Sequence, residues 1–453
     1  MKLDRTFLTV ALLGLLHACH PGGTNDRETE ADLSFAIPEA LGFLPDSLHQ
    51  VDSLLQEYTD RQWIPGAVAL VARNGKIIYE TTAGFQDPDE GIPLERDHIF
   101  RLASMTKPVT AVAVMQLVER GEIKLSDSLA RYIPEFSAPV VLTAFNPADT
   151  TWEARPASRG ITIHDLLTHT SGIGYGFTDP RMAAIYGSRQ IPDMATPQAM
   201  TLEEKMARLG GLPLVHDPGE KHTYGLSSDV LGRVIEVASG MPLDEYISRN
   251  ILLPLGMNST HFYLPDEQKP RLVKACISGS DSTILPIGEL GGEMYHPSYP
   301  VSGAMSYLSG GSGLNGTTRD YFRFCQALLD GGMGHSSRIL NDTTVSMMLS
   351  GQLGKIPYWP GKTIGYGFEI ITDPNPAMGQ LPGRYSWFGA FQTMCWVDPE
   401  RGVVGILLSQ VMFSPLVFDF FADFERLVNN AILPAEQVQR AVTLTGVARE
   451  PTP

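Results

Sequence analysis

The chain has 453 residues, 43% hydrophobic and 19% charged, an ordinary globular composition. That length is too great for one small core and suits one large bipartite unit or two domains. A formal net charge of -16 argues against a nucleic-acid partner, which needs a basic face.

The N-terminus reads as a targeting segment. Lys2 and Arg5 precede an apolar run from Phe7 to Leu16, too short to span a bilayer but of the length of a signal-peptide core. Leu16-His17-Ala18-Cys19 then places a small residue before a cysteine. This resembles a bacterial lipoprotein signal in which Cys19 becomes the lipidated first residue, although Asp4 and His17 depart from the pattern. The expectation is a signal peptide over 1–18, export to the cell envelope, and anchoring through Cys19 to a bacterial membrane, facing the periplasm or exterior. Two acyl chains suffice for stable anchoring. Residues 19–35 are mainly polar and read as a flexible tether.

Ser47 to Gln62 has helical periodicity. Ile64 to Tyr79 then reads as strand, Asn74-Gly75 turn and strand. Next comes Phe100-Arg-Leu-Ala-Ser104-Met-Thr-Lys107-Pro108. Residues three apart share a helix face, so a lysine amine can sit beside the serine hydroxyl and help to move its proton. Proline is tolerated in the first turn of a helix, so Pro108 puts Ser104 at or near a helix N-terminus, where exposed N–H groups suit an oxyanion. The run from Val109 to Val118 is apolar all round, as in a buried helix, with Gly121 as its stop.

From about Leu125 to Leu329 helical patterns dominate, including Thr162–Leu167, Leu202–Leu209, Ser228–Ala238 and Thr318–Leu329. Within this stretch Asp217-Pro-Gly-Glu-Lys-His-Thr-Tyr224 places a tyrosine between a Pro-Gly turn and a helix. Near a lysine ammonium, such a phenol can act as a base in its ionised form. Strand signals return at Tyr366–Ile371, Thr393–Val397 and Val403–Leu408, the last two joined by a turn at Pro399-Glu-Arg-Gly402. Trp387-Phe-Gly389-Ala390 precedes the first of that pair. A glycine there lets a backbone or a ligand approach closely, and the Ala390 N–H can face a groove as an oxyanion donor alongside the Ser104 N–H. A helix over Phe418–Ala431 closes the fold, and 431–453 read as tail. Cys276, Cys325 and Cys395 have no C-x-x-C spacing and imply neither a disulfide framework nor a zinc site; Cys325 and Cys395 read as core. No cofactor or metal motif occurs.

Strands at both ends with helices between argue for an α+β fold: an antiparallel sheet flanked by helices and built from both termini, with an inserted, mostly helical domain. The expected domain covers 36–430, its sheet part about 36–115 and 340–430 and its helical part about 116–339.

Ser104, Lys107, Tyr224 and Trp387-x-Gly389, in this order and spacing, resemble the serine hydrolases of the penicillin-binding-protein and class C β-lactamase superfamily. Their nearest likeness is to the family VIII carboxylesterases and related acyltransferases. The resemblance runs from about Ala36 to Asn430 and includes His169-Thr-Ser-Gly172, Pro254-Leu-Gly-Met-Asn-Ser-Thr260 and Gly313-Leu-Asn-Gly-Thr-Thr-Arg-Asp320 as framework motifs without assigned chemistry. It implies a nucleophile at Ser104, an activating lysine at Lys107, a tyrosine at Tyr224 that, assisted by Lys107, takes the Ser104 proton, an oxyanion hole of the Ser104 and Ala390 N–H groups, and substrate contacts at Leu226, Trp387 and Gly389. The second motif is of the esterase form, Tyr-x-Leu-x-x-Asp-Val-Leu-Gly; Leu226 replaces the asparagine that contacts the substrate amide in lactamases. The third motif lacks the lactamase cation and hydroxyl, leaving Arg384 as a possible substitute for holding a carboxylate.

The implied activity is hydrolysis of a small-molecule ester or amide through an acyl-enzyme, with small neutral esters preferred. Losing one charged anchor costs about 1.5–3 kcal/mol of binding. The alternatives are a β-lactamase or D-amino-acid peptidase, an acyltransferase, and a catalytically inactive, lipid-anchored binding protein. An α/β-hydrolase is disfavoured because no Gly-x-Ser-x-Gly occurs.

Overall fold

The computed structural model describes residues 33–288, 295–334 and 337–433. The expected signal peptide, Cys19 and nearly all of the tether lie outside these residues, as does the tail beyond Leu433.

The chain enters the fold earlier than the expected tether boundary. Ser34–Phe35 (β1) pairs in parallel with Lys76–Ile77. Helix α1, Gln50–Asp60, buries Val51, Leu54, Leu55 and Tyr58, the i, i+3, i+4, i+7 stripe of an amphipathic helix. Strands β2, Gly66–Arg73, and β3, Lys76–Asp87, form the expected hairpin. Asn74 and Gly75 both have positive φ, 52° and 76°, which a two-residue turn matched to strand twist requires. Helix α2, Thr106–Glu119, is buried at every position from Thr106 to Leu117, as its all-round apolar sequence demands.

A hairpin of β4, Val140–Phe145, and β5, Trp152–Pro156, interrupts the region read as helical. Helix α3, Ile163–Leu167, starts on a capping box in which Thr162 and Asp165 satisfy each other's backbone amides. Helices α4, Leu202–Leu209, α5, Ser227–Ser239, and α6, Thr318–Leu329, lie within about a residue of their sequence-read limits. The second run of sheet strands is β6, Lys362–Ile364, β7, Glu369–Ile371, β8, Tyr385–Gly389, β9, Thr393–Asp398, and β10, Val403–Ser409. Helix α7, Val417–Asn430, follows. Strand β7 is shorter than the expected Tyr366–Ile371. Gly367 has φ 91° and a Cβ there would meet the Ala111 methyl at 2.8 Å, so the chain is folded down onto α2 instead of running straight.

The main sheet runs β1-β3-β2-β10-β9-β8-β7-β6, antiparallel apart from β1. Its centre, β10, is buried throughout, because helices cover both faces. On one face α1 and α7 contribute Leu55, Tyr58, Phe420 and Phe424 to a core shared with Ala69, Trp396 and Leu407. Helix α6 packs on β2 and β10. The expected tail begins too early: Ala431 is fully buried and the Leu433 amide bonds the Gly42 carbonyl at 2.8 Å.

Arg384, at the entrance to β8, donates from its Nη2 to Glu425 of α7 at 2.6 Å, and both side chains are buried. Removing one partner leaves an uncompensated buried charge. Glu425→Gln is expected to lower the unfolding free energy by about 3–5 kcal/mol, and the double variant Arg384→Met/Glu425→Leu to recover most of it. Guanidinium unfolding of the parent and the two variants checks this; a double variant no more stable than Glu425→Gln contradicts it.

Candidate active site

Ser104 sits in a single 3₁₀ turn, Ala103–Met105, that feeds directly into α2. Ala103 carries φ 44°, a left-handed conformation that costs a non-glycine residue energy and persists only where its surroundings impose it. Those surroundings are plain. The Leu102 amide bonds the Leu314 carbonyl at 3.0 Å, and the Thr393 hydroxyl bonds the Leu102 carbonyl at 3.2 Å. The Leu314 amide donates to the Thr106 hydroxyl at 2.9 Å and the Tyr321 hydroxyl to the Met105 carbonyl at 2.8 Å. The backbone on both sides of Ser104 is thus held by β9, α6 and the segment before α6.

Lys107 lies one turn on and points back along the helix. Its Nζ is 3.1 Å from Ser104 Oγ and donates to the Gly311 carbonyl at 2.8 Å. It lies over the Tyr224 ring, 4.7 Å from its centroid, and 5.4 Å from that of Tyr175. Burial disfavours the ammonium and brings Lys107 down to about 7; the Asp229 carboxylate opposes this shift and the Lys205 ammonium adds to it. Near neutral pH, therefore, much of Lys107 is an amine with a free lone pair.

Tyr224 moves the other way. Burial raises its phenol above the ordinary value; hydrogen bonding to Ser104 and Trp387 offsets this in part, while the Asp229 charge adds to it. Burial therefore favours the phenol over the tyrosinate expected at Tyr224, and the amine over the ammonium at Lys107. The Trp387 ring lies 6.0 Å from that of Tyr224.

The framework motif His169-Thr-Ser-Gly172 holds Tyr224 in place. The Thr223 amide donates to the His169 carbonyl at 2.7 Å, and the His169 ring lies 5.0 Å from the phenol ring. A Cβ on Gly225 would stand 1.9 Å from the Ile173 carbonyl, so only glycine lets the Tyr224 loop lie on this segment. Sequence reasoning missed His169, Tyr175, Asp229, Lys205 and Gly311. The nearest signals were His169 at the head of its motif and the Gly310-Gly311 pair.

Three substrate-contact expectations change. Leu226 is fully buried at the start of α5 and presents nothing to a groove. Gly389 is a site of close approach, but to backbone: a Cβ there would meet the Leu102 carbonyl at 2.3 Å and the Thr393 hydroxyl at 2.4 Å. This contact seats the end of β8 against the Ser104 turn. Arg384, engaged by Glu425, is not free to hold a carboxylate. Trp387 is nearly buried beside Tyr224, and Ala390 follows β8 at an exposed position.

A cavity of about 540 Å³ is lined by Phe177, Tyr186, Asp193, Met194, Ala195 and Tyr295, among others. Phe177 stacks on Tyr175 at 4.6 Å, linking that cavity to the aromatic group around Lys107. Among the described residues no three His, Cys, Asp or Glu side chains are grouped to hold a metal. Cys276, Cys325 and Cys395 are free and buried.

Comparison with known proteins bears on this geometry. The family model described as Beta-lactamase matches residues 51–427. Protein Rv1367c of Mycobacterium tuberculosis is 34% identical over 373 residues, covering 79% of this chain and 88% of its own. Esterase EstB of Burkholderia gladioli is 31% identical over 377 residues, covering 81% of this chain and 91% of its own. Among solved structures, EstCE1, a hydrolase with promiscuous acyltransferase activity, superposes with a TM-score of 0.72 at 27% identity, over 85% of this chain and 99% of its own. Matched over that span, and with a serine and a buried lysine one helical turn apart, the chain belongs to the β-lactamase family.

Proposed function

We propose that this protein is a serine esterase that acts on small neutral esters through an acyl-enzyme on Ser104. The observation that carries this reading is the buried Lys107 amine, in hydrogen-bond contact with the Ser104 hydroxyl and capped by a protonated Tyr224. The likeness to EstB and EstCE1 supports it.

Acylation begins when Lys107 Nζ accepts the Ser104 proton as Oγ attacks the ester carbonyl carbon. The tetrahedral oxyanion forms beside the Ser104 and Ala390 N–H groups, whose donors are worth most where charge develops. Tyr224 gives its proton to the departing alkoxide and takes one back from the Lys107 ammonium. Water then repeats the sequence: its proton passes to the Lys107–Tyr224 pair, its oxygen attacks the acyl carbon, and Ser104 Oγ leaves and is reprotonated.

The walls around this centre are Tyr175, Tyr224, Trp387 and His169, which favour uncharged groups. Arg384, committed to Glu425, is not available as a carboxylate clamp of the kind penicillin-directed relatives use, so β-lactam turnover is the weaker activity. Acyl transfer is the second reading, since an alcohol that enters in place of water uses the same steps. The cavity beside Phe177 offers room for such an acceptor.

We also propose export and lipidation at Cys19, on the pattern of residues 1–19. No helix among the described residues is long and apolar enough to cross a membrane. Cys19→Ala is expected to move the protein from the membrane to the soluble fraction of its host; equal partition of the two forms overturns the anchor.

The full-length protein is expected to hydrolyse a short-chain p-nitrophenyl ester faster than a chromogenic cephalosporin, and Ser104→Ala to lose both turnover and the acyl adduct seen by intact mass. An adduct that survives Ser104→Ala, or a faster cephalosporin, refutes the reading. Because the lysine must be unprotonated to act, kcat/KM should rise with pH through about 7 and level off above it. A rate that falls over that interval contradicts the assignment.

A further inference from the structure

Behind Lys107 lies a second buried lysine, outside the acyl-transfer steps above. Lys205 of α4 and Asp229 of α5 form an ion pair at 3.1 Å with both side chains fully buried. Burying two charges is costly unless further hydrogen bonds complete the pair. Here they do. Asp229 Oδ1 accepts from the Ser309 hydroxyl at 2.6 Å and from the Gly311 amide at 3.2 Å. Lys205 Nζ also bonds the Tyr307 hydroxyl.

This pair touches the same glycine as the catalytic amine. Asp229 holds Gly311 by its N–H, while Lys107 donates to the Gly311 carbonyl at 2.8 Å. The preceding residue is equally fixed. A Cβ on Gly310 would lie 2.4 Å from the Ser228 carbonyl, and the Thr110 hydroxyl donates to the Gly310 carbonyl at 2.7 Å. The Gly310-Gly311 turn is thus clamped between α2 and α5, with the ion pair on one side and the lysine of the site on the other.

We propose that the Lys205–Asp229 pair is the positioning element that sets the charge state of Lys107, with Lys205 opposing the protonation that Asp229 alone would impose. The inference rests on the reading of Lys107 as the base that activates Ser104.

The groups that face Lys107 define the balance. In front are the Ser104 hydroxyl and the Tyr224 phenol; beside it are the Tyr175 ring and His169; behind it are Asp229 and, through that carboxylate, Lys205 and Tyr307. Burial raises Tyr175 and Tyr307 well above the ordinary phenol range and lowers His169 well below the ordinary imidazole range, so all three are neutral near pH 7. Asp193, whose carboxyl is raised by burial, feels both the Lys205 and the Asp229 charge. Asp229 and Lys205 are therefore the charges, among the described residues, that decide how readily Lys107 takes a proton. A lone carboxylate in a dry interior would hold Lys107 as an ammonium, which has no lone pair for the Ser104 proton. The Lys205 ammonium offsets that pull while leaving Asp229 free to hold Gly311.

The pair therefore predicts two pH shifts of opposite sign. The full-length protein is mixed with excess p-nitrophenyl acetate, and the rate of the acylation burst is followed against pH. Lys205→Met should move the acid limb to higher pH by about one unit, a roughly tenfold slower burst on that limb with the alkaline plateau retained. Asp229→Asn should move it to lower pH, and Lys205→Met/Asp229→Asn should return it close to the parent position. Lys205→Gln, which keeps a hydrogen-bond donor for Asp229, replaces Lys205→Met if that variant fails to fold. The same shifts should be visible in the Lys107 titration followed by ¹³Cε-lysine NMR in a Ser104→Ala background, where no turnover is needed. Unmoved midpoints with lowered melting temperatures, or shifts of one sign in both single variants, show that the pair only fastens α4 to α5 and overturn the proposal. A parent protein that neither turns over the ester nor forms an acyl adduct, while the NMR midpoints still shift in opposite directions, fails the esterase reading and leaves the coupling standing.

Discussion

An amine without water is the constraint on which this structure turns. Lys107 is carried on a helix that is buried along most of its length, so its Nζ has no solvent shell. Its partners must come from the protein, and each is fixed independently: Gly311 by Asp229, Ser104 by the turn that begins at Ala103, and the Tyr224 ring by the His169 segment. Desolvation makes the ammonium costly and hence the amine available. In water the same lysine would be protonated and useless as a base near neutrality. The same burial keeps Tyr224 protonated, so one physical cause assigns the lone pair to one residue and the proton to its neighbour.

The sheet and the helices serve that arrangement by bringing distant chain segments to one point. Strand β8 ends against the Leu102 carbonyl at a position only glycine can occupy, which places Ala390 beside the serine turn. Helix α5 begins three residues after Tyr224 and carries Asp229 in its first turn. Helix α4 supplies Lys205 to the same interior. Three glycines, Gly225, Gly310 and Gly389, stand where a methyl group would drive backbones apart. They are packing requirements of the site as much as of the fold.

Substrate preference follows from what surrounds the centre. Aromatic rings from three loops and a strand stand around the amine, and the nearest spare guanidinium in sequence is taken up by a buried ion pair between β8 and α7. The chemistry of a nucleophilic serine is thereby combined with surroundings that suit neutral groups. This is consistent with the esterase named among the relatives of this β-lactamase family member.

Much of this was legible in the sequence, and the reasons differ by residue. Ser104-x-x-Lys107 with Pro108 determined a serine at the start of a buried helix, because helical spacing and proline tolerance are local properties. The hairpin at Asn74-Gly75 and the limits of α4, α5 and α6 were local in the same sense. The β4–β5 hairpin, in the long connection between α2 and α3, was not legible because its strands are half-exposed and lack a clean alternation of buried and exposed residues. What no local pattern carries is which groups lose water together. Tertiary packing decided that Leu226 is core, that Arg384 serves Glu425, that Gly389 admits a carbonyl instead of a ligand, and that Lys205 stands behind Lys107. It also decided which of Lys107 and Tyr224 keeps the proton. Desolvation and charge pairing depend on neighbours tens to hundreds of residues away, whereas a turn, a cap or a helix face depends on neighbours within a few residues.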